Sequence, residues 1–186
     1  QMMELPSQIS FLKLRASSAS VGNEVPYNRI SPTNTINASG GVERNTQTPF
    51  TTLKPEMIET FEIGVDLRLF NNKLGLDVAY YDIKSTDQFL SLAAPSGSGY
   101  TSYFVNAGKI VNNGIEVTIT NSIIDNANFK WNSILNITQN TNEIVEIHPD
   151  ISALNTGASE GFQSQMRKGG SVGDFYTFMH KRDAQG

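Results

Sequence analysis

The 186-residue sequence predicts an all-β fold, in which antiparallel up-and-down strands form part of a transmembrane β-barrel. The first ground is a hairpin, Phe61 to Tyr80, whose apolar residues alternate on one face straight through a tight Asn71-Asn72 turn. Pairing Phe70 with Lys73 sets Leu69 opposite Leu74, Leu67 opposite Leu76, Val65 opposite Val78 and Ile63 opposite Tyr80. The other face carries Glu62, Gly64, Asp66 and Arg68, then Gly75, Asp77, Ala79 and Tyr81. The second ground is length. Alternation from Met57 to Phe70, and again after Phe129, outlasts the roughly five or six residues of an ordinary globular strand. The third is an asymmetry of connections. Short ones at Asn71-Asn72 and Asn121 to Asn128 alternate with longer ones at 22–56, 91–100 and 146–171. An up-and-down sheet places the two kinds at opposite ends, as in outer-membrane barrels, and Phe70, Phe129 and Trp131 fall at the short-turn end, where an aromatic girdle belongs.

The alternative is a soluble β-sandwich, which also alternates apolar and polar faces. Against it, the polar face is rich in Gly, Asn, Thr, Ser and Ala and poor in lysine, whereas a face in water carries more charge.

Phe11 to Val21 reads as a first strand, with Leu12, Leu14 and Ala16 alternating against Lys13, Arg15 and Ser17. From Glu24 to Pro55 no period persists, and Ser31-Pro32-Thr33-Asn34 and Ser39-Gly40-Gly41 mark a long surface loop. The hairpin follows, its second strand continuing toward Phe89 before the break at Ala94-Pro95-Ser96-Gly97-Ser98-Gly99. A strand over Ser102 to Thr120 alternates Ile115, Val117 and Ile119 with Gly114, Glu116 and Thr118. After a turn near Asp125-Asn126, Phe129 to Val145 places Phe129, Trp131, Leu135 and Ile137 on one face, with Ile134 an exception on the other. A second long loop, His148 to Gly170, precedes a last strand at Asp174 to His180. The total is about six strands and no helix.

The net charge of -4 and the scattered basic residues give no footprint for nucleic acid. The absence of cysteine excludes disulfides and thiolate metal sites. No apolar run approaches the roughly 20 residues of a membrane-spanning helix, but a barrel strand needs only about 9–11. Gln1 to Pro6 has no signal-peptide character, so the chain is expected to begin inside a larger protein. No nucleophile motif, phosphate-cradling loop or zinc-binding H-E-x-x-H occurs, and His148 and His180 read as exposed loop residues. Asp82, Asp87 and Asp125 lack the spacing of a calcium loop. Catalysis, a metal and a cofactor are therefore not expected.

On the barrel reading, Glu62, Asp66, Arg68, Asp77 and Glu116 face the lumen. Asp66 and Asp77 lie opposite each other, with Arg68 diagonal to Asp77 to offset their repulsion. Such a cluster serves a passing solute or simply holds the wall together. Tyr100, Tyr103 and Phe104, in the outer segments, are candidates for stacking on a substrate such as a sugar ring, or for ordinary loop packing.

A run of motifs resembles the SusC/RagA family of TonB-dependent outer-membrane transporters. The run begins with Phe11-Leu12-Lys13-Leu14-Arg15, Val21-Gly22-Asn23, Leu53-Lys54-Pro55-Glu56 and Phe61-Glu62-Ile63-Gly64-Val65-Asp66. It continues through Leu69-Phe70-Asn71-Asn72-Lys73-Leu74, Val78-Ala79-Tyr80-Tyr81-Asp82, Asn106-Ala107-Gly108-Lys109-Ile110 and Asn113-Gly114-Ile115-Glu116. Phe129-Lys130-Trp131-Asn132, Asn142-Glu143-Ile144-Val145 and Gly173-Asp174-Phe175-Tyr176 complete it in the family's order. The resemblance implies a plugged barrel of about 22 strands in the outer membrane of a Gram-negative, Bacteroidetes-like bacterium. It implies outer-membrane lipid around the wall, a SusD-like surface lipoprotein as partner, drive from the TonB complex through the plug, and oligosaccharide or peptide as cargo. Residues 1–186 are then a partial barrel domain from toward the C-terminal half, with plug and terminal strand absent. Energy coupling is expected to lie outside them. The competing function, from the sandwich reading, is a secreted glycan-binding or adhesion module.

Overall fold

A computed structural model describes residues 6–24, 30–50, 52–159 and 161–178. Five long strands dominate it: β1 (Ile9–Asn23), β4 (Glu56–Leu69), β5 (Leu74–Thr86), β8 (Lys109–Asp125) and β9 (Lys130–Glu146). The short strands are β2 (Thr35–Ile36), β3 (Val42–Glu43), β6 (Phe89–Ala93), β7 (Ser102–Asn106), β10 (Leu154–Ser159), β11 (Phe162–Met166) and β12 (Phe175–Thr177). The long strands pair in chain order, β1-β4-β5-β8-β9, as an up-and-down meander, and the short ones fill the long connections.

The chain divides into two units. The first holds the chain up to Ser20, Glu59–Lys84 and Asn112–Thr141, and the second holds Val21–Ile58, Ser85–Val111 and the chain from Asn142.

In the first unit the sheet is inverted relative to one in water. Leu14 is 76 % exposed, Ile63 50 % and Ile115 45 %, and Phe61, Leu135 and Ile137 are also exposed. Gly64, Ala79 and Gly114, on the other face, are buried. Isolated exposed apolar residues mean little, but an apolar stripe repeated on strand after strand marks a surface made for a non-aqueous neighbour. These exposures are incompatible with a sandwich core, and the fold is barrel wall. The β4–β5 turn forms where expected, the Lys73 N–H donating to the Phe70 carbonyl at 3.2 Å. Phe70, Asn71 and Asn72 all adopt the left-handed region, with φ of 54°, 55° and 64°. Asparagine tolerates this conformation well, which explains the Asn-Asn pair. Phe70, Phe129 and Trp131 all stand exposed beside the short turns.

The second unit has small cores of its own. The antiparallel β6–β7 hairpin pairs Phe89 with Asn106 through Ala93 with Ser102. Leu90, Leu92, Phe104 and Phe50 are buried there, and the Phe89 ring stacks on Phe104 at 4.7 Å. Backbone bonds from Thr48 to Ser102 and from Thr101 to Thr46 dock residues 46–48 on the hairpin edge. The β10-β11-β12 sheet follows Ile144, which is 1 % exposed and exchanges backbone hydrogen bonds with Gly169 and Gly170.

Several strand boundaries differ from the sequence reading. The second hairpin strand stops at Thr86 instead of running to Phe89, because Asp87 turns to φ 54°. The Ser102 to Thr120 strand is two strands, broken at Gly108, where φ is 92°. Asn106 secures the break: its Nδ2 donates to the carbonyls of Asp87 at 2.8 Å and Lys54 at 2.9 Å. The unpatterned stretch 24–55 contains the β2–β3 hairpin, and the loop after His148 contains β10 and β11. The last strand is only Phe175–Thr177, and His180 lies outside the described residues.

Phe104→Ala tests whether the hairpin is an independent module. Removing a buried phenylalanine costs about 3–5 kcal/mol. The full-length protein carrying it should be nicked much faster between Ala94 and Thr101 by a broad-specificity protease, with the long strands still folded.

Candidate functional site

The polar face of the first unit gathers most of the residues expected to face a lumen. Arg15 of β1 reaches across β4 to β5, where Nη1 donates to Asp77 Oδ2 at 2.9 Å and Nη2 to Oδ1 at 2.6 Å. Its Nε lies 3.6 Å from Glu62 Oε1. The crossing is possible because Gly64 lies under the guanidinium, where a Cβ would come within 2.7 Å of Arg15 Nε. The same device recurs. Tyr81 of β5 crosses Gly114 of β8 to donate its hydroxyl to Asn140 Oδ1 of β9 at 3.0 Å, and Thr120 of β8 lies against Gly75 of β5. Three interior strands thus each carry a glycine under a neighbour's side chain, and two of these side chains bond the strand beyond.

This corrects the expected offset of Asp77 by Arg68. Arg68 instead faces Asp66 of its own strand at 3.6 Å and lies over the Phe11 ring at 5.1 Å. The sequence pattern puts Arg15 on the polar face of the first strand but does not pair it with Asp77. The period-2 pattern placed it on the correct face, and Gly64 was the sign that something crosses there. The Arg15 and Asp77 side chains are 33 % and 43 % exposed, so solvent screens the bidentate pair and its Coulombic contribution to stability is small. Its stronger effect is geometric, holding three strands in one register.

Asp66, Arg68 and Asp77 come together around a cavity of ≈ 300 Å³, with Asn72, Gly75, Leu76, Thr118 and Thr120 completing its lining. Glu62 joins the group through Arg15. Glu116 remains apart and exposed on β8.

The outer candidates separate. Tyr100 is exposed, its N–H bonded to Ser98 Oγ at 3.2 Å. Tyr103 is half-buried. Phe104 is only 7 % exposed and stacked on Phe89, so its ring belongs to the hairpin core and offers little face for stacking on a sugar. His148, expected to be exposed, is half-buried; its Nδ1 accepts the Asp150 N–H at 3.3 Å and lies 3.7 Å from the Asp150 carboxylate. No group of three or more His, Asp or Glu that could hold a metal ion occurs among the described residues.

Residues 9–173 match the family model described as TonB dependent receptor-like, beta-barrel. The TonB-dependent receptor P3 of Formosa agariphila is 31 % identical over 190 residues, covering 96 % of this chain and 19 % of the relative. The TonB-dependent receptor SusC of Bacteroides thetaiotaomicron is 30 % identical over 96 residues, 51 % of this chain and 10 % of SusC. The chain thus spans about a fifth or less of the relatives it matches. Among solved structures, the RagAB peptide transporter superposes with a TM-score of 0.74 at 22 % identity, covering 89 % of this chain and 18 % of that one. The fold is shared with it.

Proposed function

From the premise that the chain belongs to the TonB-dependent receptor β-barrel family and is SusC/RagA-like, we propose that it forms lumen wall and extracellular loops of an outer-membrane nutrient importer. The observation that carries this reading is the inverted sheet, with Leu14, Ile63 and Ile115 exposed and Gly64 and Gly114 buried under polar side chains. Outer-membrane lipid covers the first set. The second lines the lumen, with Glu62, Asp66, Arg68, Asp77 and Glu116 among the lining residues. On this reading the group around Arg15 is chiefly structural. The long connections, with their small sheets, lie on the extracellular side.

The cargo is an oligosaccharide or a peptide, the latter favoured by the likeness to a peptide transporter. A SusD-like surface lipoprotein captures it, and the TonB complex drives its passage through a plug domain outside these residues. The membrane is that of a Bacteroidetes-like Gram-negative bacterium.

The full-length protein tests this reading. Extracted in detergent, it should run faster on gels before boiling than after and should bring down a surface lipoprotein. Cells expressing it should take up a labelled oligosaccharide or peptide only while TonB is present. Unchanged mobility on boiling, or uptake indifferent to TonB, contradicts the proposal.

A further inference from the structure

A second cavity, of ≈ 550 Å³, opens in the second unit among Thr48, Pro49, Phe50, Thr52, Lys54, β7 and His148. Its apolar wall is Phe50 and Phe104, both buried, with the Phe89 ring 6.1 Å and 4.7 Å from theirs. Its polar groups include Lys54, Tyr103 and His148, and no carboxylate is among its lining residues.

The Lys54 backbone is held in place by Asn106. Its N–H donates to Asn106 Oδ1 at 2.8 Å and its carbonyl accepts from Asn106 Nδ2 at 2.9 Å, so the root of the side chain is pinned on both sides. The ammonium forms no ion pair among the described residues. The carboxylate two residues on is engaged elsewhere, Glu56 accepting from the Phe89 N–H at 2.8 Å and from Asn23 Nδ2 at 2.9 Å. His148 adds a donor that does not depend on its charge. Nδ1 accepts the Asp150 N–H in the neutral ring, which leaves the proton on Nε2, and in the imidazolium Nε2 is protonated as well. The Tyr103 hydroxyl is a further donor. A cation rooted on a pinned backbone, with imidazole and hydroxyl donors beside a buried aromatic wall and no carboxylate in the lining, is chemistry that suits a carboxylate.

We propose that this cavity is a subsite for a carboxylate carried by the imported oligomer, with Lys54 as its counter-ion and His148 and Tyr103 as hydrogen-bond donors. The inference rests on the import reading and names the cargo's class as acidic. The carboxylate comes from a uronic-acid unit of an oligosaccharide or from an acidic residue of a peptide, and paired probes separate the two sources.

Calorimetric titration of the full-length transporter in detergent should use trigalacturonate against maltotriose, and triglutamate against a neutral tripeptide amide. The acidic member of one pair should bind at least about tenfold tighter than its neutral counterpart, and that pair identifies the source. Lys54→Met should abolish the preference, Lys54→Arg should retain most of it, and raised salt should weaken it. Protease resistance of the β6–β7 loop in Lys54→Met shows that the hairpin is intact. Equal binding of acidic and neutral probes, a preference that survives Lys54→Met, or no binding of any of the four overturns the subsite. TonB-dependent uptake of neutral oligomers alongside such a result overturns the subsite alone. Loss of all TonB-dependent uptake overturns the import reading itself.

Discussion

Gly114→Ala is expected to destabilise the full-length barrel by roughly 2–3 kcal/mol, within the range for an overpacked site. The added Cβ would lie 2.5 Å from the Gln139 carbonyl oxygen and 2.5 Å from the Tyr81 hydroxyl. The two contacts differ in how they relax. Tyr81 can swing away, giving up its bond to Asn140 at a cost of about 1 kcal/mol. The carbonyl belongs to the β9 backbone and moves only if the β8–β9 pairing opens. Replacing glycine also removes conformational freedom from the unfolded chain, which returns about 0.4–1 kcal/mol. The steric cost exceeds that return. Gly22→Ala is the control, since its Cβ would meet Met57 Sδ at 3.7 Å and Pro55 Cβ at 3.8 Å, ordinary contact distances. It should stay within about 0.5 kcal/mol of the parent. Denaturant titration of both variants checks the pair, and equal stability would remove the steric role assigned to Gly114. Adding Tyr81→Ala to Gly114→Ala should recover only part of the loss, because Gln139 still stands in the way.

The contrast between the β4–β5 hairpin and the β6–β7 hairpin shows what was legible in the chain. The first was readable because its period is local: Ile63, Val65, Leu67 and Leu69 alternate without interruption, and Asn71-Asn72 states its own turn. The second was hidden because Phe89 reads as the end of the strand before it and Leu92 falls within the connection at 91–100. The separation of β6 from β5 depends on a left-handed Asp87 and on Asn106 bonds to residues 19 and 52 positions away, which no local pattern records. The same distinction divides the polar face. Period 2 put Glu62, Asp66 and Asp77 on one side, but the partner of Asp77 lies two strands away, and reading neighbours alone chose Arg68 over Arg15. His148 departs from its expected exposure for a related reason, and Phe104 takes the loop packing that the sequence offers as its alternative. Burial in a small loop core is set by what folds over a residue, here Phe50 and Phe89 around Phe104, and composition does not show it.

Ile63→Arg should be the most damaging single change on the outward face, because the sheet is inverted only if lipid replaces water there. Ile63 lies near the middle of β4, Glu56–Leu69, and points its side chain out of the sheet with half its surface uncovered. In water the same substitution would improve an exposed apolar position and cost almost nothing. In a bilayer, an arginine at mid-depth on the lipid face costs about 2–4 kcal/mol. The two environments therefore predict different results for one variant. Glu116→Arg on the opposite face supplies the comparison, being exposed on β8. It should change stability by less than about 1 kcal/mol. Salt separates the causes further. Exchange of charge among lumen residues is screened and shifts between low and high ionic strength, whereas the cost of arginine in hydrocarbon is desolvation and stays constant. Folding of the full-length protein into lipid vesicles, followed by gel mobility across a denaturant series, measures both variants. An Ile63→Arg barrel as stable as the Glu116→Arg barrel would place water, not lipid, against Leu14, Ile63 and Ile115.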